Sequence, residues 1–303
     1  MRVINRLSEL CSSAVGLRKP AVEEKSFSHH SGTGIALAVE NVSFAYGSEL
    51  VLKDISLRVE SGEFIAVVGP SGCGKTSLLR LLAGLEKPLS GEILHQGKAV
   101  TGPDISRGVV FQDYSLFPWL NLQDNLAIAV NKARKGLPRS ERNQIAEEYL
   151  DLVGLPGVAF KHPYELSGGM RQRAAIARSL ALGSPVLLMD EPFGALDPLN
   201  RVRLQELLLQ LCSSRTVQRT IVFVTHDVEE ALYLGDRVIV LGTTPGRIIA
   251  EIKVPFEGER YRHKLFQSKE FRDLETHIAA LYHEDIERQL EAGSVVSGEG
   301  ASI

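Results

Sequence analysis

Eight consecutive residues, Gly69-Pro70-Ser71-Gly72-Cys73-Gly74-Lys75-Thr76, follow the apolar run Phe64 to Val68 and precede the leucine-rich stretch Ser77 to Leu82. Small residues let successive backbone amides turn inward around an anion. A helix opening at Lys75 would add its own unpaired amides and the positive end of its dipole. Lys75 supplies a point charge for outer phosphate oxygens, and the hydroxyl of Thr76 can sit on a magnesium ion that bridges them. Strand, glycine turn and helix in that order are the context a phosphate-binding loop requires, so residues Gly69 to Ser77 are expected to hold nucleotide phosphates. A chance glycine turn is the alternative, and the motifs further along weigh against it.

Asp190 and Glu191 end a second apolar run, Val186 to Met189. Carboxylates at the carboxyl end of a buried strand stand at the edge where α/β sheets bind ligands. Asp190 can enter the magnesium shell, and Glu191 can polarise a water for in-line attack on a terminal phosphorus. Read alone, the acidic pair is as well explained as a helix cap. His226 ends a third apolar run, Thr220 to Thr225, where an imidazole could contact the terminal phosphate and fix the attacking water. Gln112, just past Gly108-Val109-Val110-Phe111, could reach the metal or the water. Tyr46, outside the loop, could stack on a base or belong to the core.

The elements that must position these groups are legible in outline. The chain has 303 residues, 44% hydrophobic and 23% charged, with a formal charge of -3. That composition fits a large globular core and gives no global basic field to draw nucleic acid. Cys11, Cys73 and Cys212 are too few and too scattered for a disulfide framework or a zinc site. No apolar run is long enough to span a membrane.

Residues 1 to 35 read as a flexible tail in which Val3, Leu7, Leu10 and Ala14 permit a short partner-binding helix or simply fray. Residues 36–44 and 55–59 predict short alternating strands of a small antiparallel layer, continued by 90–94. The runs at 63–68, 186–189, 220–225 and 237–241 predict a parallel sheet, and residues 113 to 165 a helical insert. Ser167 is expected to cap a helix whose inner face carries Met170, Ala174, Ala177, Leu180 and Ala181. Past Pro255, residues Phe271, Leu274, Ile278, Leu281, Tyr282, Ile286 and Leu290 predict a packed C-terminal helix.

The phosphate loop at 69–76, Gln112, Leu166-Ser167-Gly168-Gly169-Met170-Arg171-Gln172, Val186 to Glu191, Ala195-Leu196-Asp197 and His226 stand in the order and spacing that resembles ATP-binding cassette (ABC) transporter ATPases. The similarity runs from about residue 36 to 250, with the Ser-Gly-Gly signature its most discriminating part. It implies a P-loop NTPase core of RecA-like α/β type, an antiparallel β subdomain and a helical insert in a domain over 36–254, followed by a helical extension over 255–303.

The resemblance further implies ATP and Mg2+ as cofactors, with Thr76, Gln112 and Asp190 on the metal and Glu191, His226, Gln112 and Lys75 in catalysis. Tyr46 takes the adenine-stacking place. Two subunits would pair head to tail, each ATP held by one phosphate loop and by the partner's Ser167, Gly168 and Gly169, with Asp197 at the boundary.

Val110 to Trp119, Asp124-Asn125 and Thr244-Pro245-Gly246-Arg247-Ile248 resemble importers of the nitrate, sulfonate and taurine group. That likeness implies a peripheral ATPase subunit at the cytoplasmic face of the membrane, with permease subunits and, indirectly, a solute-binding protein as partners. Phe117, Pro118 and Trp119 would then line a groove for a permease helix, unless they are a packed aromatic cluster. The rival reading is a soluble cassette ATPase acting on nucleic acid or ribosomes. The transported molecule, whether sulfonate, nitrate or bicarbonate, is met by other subunits and is not written in this chain.

Overall fold

The computed structural model describes residues 34–213, 219–256 and 260–298, with the side chains of 211–213 and 292–298 outside that description. The proposed N-terminal tail and its short helix lie outside the described residues, apart from its last positions. In chain order the strands and helices are β1 Ile35–Tyr46, β2 Glu49–Glu60, β3 Phe64–Val68, α1 Lys75–Ala83, β4 Ser90–His95, β5 Lys98–Ala99 and β6 Arg107–Val110. They continue with α2 Leu122–Ala133, α3 Arg139–Leu152, α4 Gly168–Leu182, β7 Val186–Asp190, α5 Pro198–Ser213 and β8 Thr220–Thr225. Last among the described residues come α6 Val228–Leu234, β9 Arg237–Leu241, β10 Ile248–Lys253, α7 Arg262–Gln267 and α8 Lys269–Gly298.

The chain divides into two compact units. Among the described residues, one comprises 34–36, Val59–Glu63 and Pro103–Ile221, and the other Leu37–Arg58, Phe64–Gly102 and the residues from Val222 onward.

In the first unit β6 and β7 pair in parallel, Val110 opposite Met189. Every residue of β7 is buried, as a strand covered on both faces requires. The expected insert over 113–165 contains α2 and α3, which pack on each other and on α4. Helix α3 ends at a glycine: Gly154 has φ +71°, and Leu155 N donates to Leu150 O at 2.9 Å, a left-handed termination. Ala174, Ala177, Leu180 and Ala181 form the buried face of α4, as expected, whereas Met170 is only half-buried because it stands in the first turn.

In the second unit β3 and β9 are parallel, Val68 opposite Val240, and β10 runs antiparallel along β9. A separate sheet has the order β2-β1-β4-β5, antiparallel from β1 through β4 to β5. Its first two strands are twelve residues each. They are longer than the short alternating segments expected, because residues between the apolar stretches extend the ladder without contributing burial.

Strand β10 was not anticipated. Its residues are half-buried or exposed, so no period-2 pattern announces it.

The C-terminal segment packs as expected at Phe271 and Ile278, both buried. The expectation fails for Ile286 and Leu290, which are exposed; Asp285 takes the buried place instead, at 3% exposure. The inward face of α8 follows Phe271, Ile278 and Asp285 at seven-residue spacing.

A candidate nucleotide-binding site

The phosphate loop leaves the carboxyl end of β3 and enters α1, whose N-cap is Gly74 with φ +94°. A Cβ there would lie 2.6 Å from Leu52 Cδ2, so glycine is required both by the backbone and by the neighbour. No side chain caps α1 and no acid stands in its first turn, which leaves the dipole's positive end uncompensated by the protein. By contrast α2, α3 and α6 carry acids there. Lys75 is 7% exposed, and its Nζ donates to the carbonyls of Gly69 and Pro70, each at 2.9 Å. The ammonium is thus folded into the loop it is expected to serve. Thr76 is exposed and Ser77 buried at the same helix start.

Cys73 is buried, and its thiol is pushed above its ordinary value by that burial, against the nearby Lys75 charge. While it stays buried it is therefore a packing residue rather than a reactive thiol. Gly69 accommodates it closely: a Cβ on Gly69 would lie 2.6 Å from Cys73 Sγ.

In the same unit His226 directly follows β8 and is exposed. The turn around it is pinned: Asp227 N donates to Thr225 Oγ1 at 3.0 Å, Thr225 Oγ1 donates to Glu230 Oε2 at 3.0 Å, and Glu230 N donates to Asp227 Oδ1 at 3.1 Å. These bonds fix the backbone on both sides of the imidazole. Tyr46, the last residue of β1, is 45% exposed and edge-on to Phe44, with centroids 4.7 Å apart. A partly exposed ring held by a second ring is available for stacking.

The first unit holds the remaining candidates. Asp190 is the last residue of β7 and is buried. Glu191 follows it with φ +44°, the left-handed region that a non-glycine residue enters at a cost of order 1–3 kcal/mol and that clusters at functional positions. Because β6 and β7 are parallel and in register, exposed Gln112 leaves the same strand edge as Asp190 and Glu191.

Ser167 caps α4, its Oγ accepting from Met170 N at 3.3 Å, and again no acid stands in the first turn. Gly168 and Gly169 lie against the segment that carries Ala195: a Cβ on Gly169 would be 3.1 Å from Ala195 O, and one on Gly168 would be 3.1 Å from Tyr114 Oη. The signature, the segment before Asp197 and the residues after Gln112 therefore form one cluster within this unit. Asp197 caps the next helix start, accepting from Asn200 N at 3.1 Å and Asn200 Nδ2 at 2.6 Å, and the Asn200 side chain holds its carboxyl below the ordinary range.

Several participants were not assigned roles from the sequence. Arg171 lies over the Tyr114 ring, 5.2 Å from its centroid, and Tyr114 and Ser115 both have positive φ. Asn125 is fully buried and ties down the turn before α2: its Oδ1 accepts from Phe117 N at 2.8 Å, and its Nδ2 donates to Phe117 O at 3.1 Å and Leu120 O at 3.0 Å. That turn presents Trp119, 70% exposed, beside Phe117. Burial lowers the pKa of Arg178, whose guanidinium covers the Phe117 ring at 5.3 Å. The signal for Asn125 was there, a polar residue among the apolar positions of a helix.

Residues 52–194 match the family described as ABC transporter. A putative ATP-binding protein of Brucella abortus is 46% identical over 249 residues, which cover 82% of this chain and 94% of that protein. The nitrate import ATP-binding protein NrtC of Synechococcus elongatus is 47% identical over 250 residues, covering 80% of this chain. The chain spans only 38% of the length of that relative. Among solved structures, a dimeric post-hydrolysis state of the ATP-binding cassette MJ0796 bound to ADP and Pi superposes with a TM-score of 0.67. It is 32% identical and covers 73% of this chain and all of the other. The chain belongs to the ABC transporter family, as an ATP-binding cassette of the P-loop α/β fold.

Proposed function

We propose that this chain is the ATP-hydrolysing subunit of an importer that drives a small anion through separate permease subunits fed by a solute-binding protein. The observation that carries the reading is the pair of glycine-rich helix starts, at Gly74 and at Gly168, each without an acid in its first turn. Two such anion-receptive ends on one cassette fit a composite arrangement, in which each ATP is taken between the phosphate loop of one copy and the Ser167 to Gly169 segment of another. The dimeric state reported for the MJ0796 cassette supports it.

In this reading Lys75 exchanges its bonds to Gly69 and Pro70 for phosphate oxygens. Glu191 takes the proton of the attacking water, and His226 orients that water. The hydroxyl of Thr76, the amide oxygen of Gln112 and the carboxylate of Asp190 are hard oxygen donors of the kind Mg2+ accepts together with phosphate, where it neutralises developing charge. Asp197 meets the second copy, and Tyr46 stacks on adenine.

The importer assignment draws on the likeness to the nitrate import protein, and the anion on the same source. Among the described residues no helix is long and apolar enough to cross a membrane. The likeness to import ATP-binding proteins is what supports peripheral attachment at the cytoplasmic face. Trp119 with Phe117 is the proposed grip on a permease helix. No observation favours the nucleic-acid alternative.

Testing takes two steps. Purified chain carrying Glu191→Gln should bind ATP and fail to turn it over; unchanged turnover rejects Glu191 as the base. Reconstitution with the hydrophobic partner that co-purifies with it from membranes, together with a solute-binding protein, should give ATP-dependent uptake of one labelled anion among nitrate, bicarbonate and a sulfonate, and uptake of none rejects the importer.

A further inference from the structure

Residues 242–247, which join β9 to β10, touch both the C-terminal helix and the phosphate loop. On the helix side, Thr243 donates its amide and its hydroxyl to Asp285 Oδ2 at 2.7 and 2.8 Å, and Arg247 Nη2 donates to Asp285 Oδ1 at 2.5 Å. A carboxylate this deeply buried is tolerable only when so satisfied. On the other side, Thr244 Oγ1 donates to Gly72 O at 3.0 Å. Gly246 lies so close to Cys73 that a Cβ would stand 2.0 Å from the Cys73 carbonyl oxygen. The same glycine is stitched to β2, its amide donating to Val51 O at 2.8 Å and its carbonyl accepting from Lys53 N at 2.9 Å.

We infer that Asp285 is a positioning residue for the phosphate loop. By clamping Thr243 and Arg247, near the two ends of the 242–247 segment, it seats Thr244 and Gly246 against Gly72 and Cys73. The amides of that loop are then arranged for an anion before one arrives. The alternative, that Asp285 merely fastens the C-terminal helix, does not account for Thr244 bonding a carbonyl of the phosphate loop. The inference rests on the assignment of that loop to ATP made above, and adds a residue 210 positions beyond Lys75 to its control.

Cys73 provides the readout, because its buried thiol reacts only when the loop opens. The full chain is alkylated with N-ethylmaleimide without nucleotide, Cys73 modification is followed by peptide mass spectrometry, and ATP turnover is measured on the same samples. Thr244→Val is expected to speed Cys73 modification about tenfold, the factor a single lost hydrogen bond carries, and Asp285→Ala, which removes three bonds to the segment, by at least as much. Each should raise KM for ATP by a similar factor, with kcat changed less than about threefold. The double variant should go little beyond Asp285→Ala, since both act through one segment. Phe271→Leu, on the same helix but packed on Phe256 and Phe266, should lower Tm and leave Cys73 labelling unchanged. Wild-type labelling and KM in Asp285→Ala, or faster labelling in Phe271→Leu, overturns the inference. A wild-type chain that binds no ATP overturns the nucleotide assignment instead, and the labelling comparison still decides the role of Asp285.

Discussion

Gly246→Ala tests how tightly the phosphate loop is backed. Gly246 has an ordinary backbone conformation, so alanine adds no torsional strain, only one methyl group. That methyl would stand 2.0 Å from Cys73 O and 3.1 Å from Leu52 Cδ2, against a closest practical approach of 3.0 Å. The Leu52 side chain can yield, but the Cys73 carbonyl is backbone and must retreat by about 1 Å. Gly246 cannot back away in its stead, because hydrogen bonds to Val51 and Lys53 hold it on both sides. A misplacement of about 1 Å in a group that orients a reacting phosphate costs on the order of 10²-fold in rate. The assay is steady-state ATP hydrolysis, paired with equilibrium binding of a fluorescent ATP analogue and a thermal melt. Gly102→Ala is the control, since a Cβ there meets nothing within 4 Å. The expected result is a loss of about two orders of magnitude in kcat/KM for Gly246→Ala, with a native-like melt, and no loss for Gly102→Ala. Activity of Gly246→Ala within threefold of wild type would refute the claim that this contact sets the loop.

Further outcomes follow from the same geometry. Glu191→Gln should cut kcat by roughly 10²–10⁴ while ATP affinity holds, read by single-turnover hydrolysis and binding. Tyr46→Ala should weaken ATP and GTP alike, by the factor that about 1–3 kcal/mol of stacking represents, measured by competition. A mixture of Ser167→Arg and Lys75→Ala copies should regain activity that neither homodimer has, since one intact composite pocket forms per mixed pair; no recovery contradicts the head-to-tail arrangement. Burial pushes the Asp285 carboxyl up, but the Thr243 amide and hydroxyl and the Arg247 guanidinium outweigh it and hold the group below its ordinary value. Its stabilisation is therefore full above the ordinary aspartate range, near pH 3.9, and fades as pH falls through the lower folded value. Thermal melts of wild type and Asp285→Asn should accordingly converge toward low pH; a constant difference down to acid denaturation would contradict this.

The glycine turn and helix start at residues 69–77 were legible in the sequence because they are local: consecutive amides, glycines where φ is positive, and a helix start, all within nine positions. The cap at Ser167 and the buried strand of β7 were legible for the same reason, since each is set by neighbours a few residues away. The family likeness rests on such local pieces in a fixed order.

What the sequence left open depends on contacts across long stretches of chain. Whether Asp285 or Ile286 faces inward on α8 differs by one residue of helical register, and the decision falls to donors 38 and 42 positions earlier, on Arg247 and Thr243. Hydrophobic periodicity favours Ile286, because it has no means of counting a distant guanidinium and amide. Strand β10 likewise exists because β9 offers it an edge, not because its own residues alternate. Local chemistry thus determined what this protein can hold, while the tertiary structure decided what holds the holder: a buried ionic contact is favourable only once the fold has brought both partners out of water together.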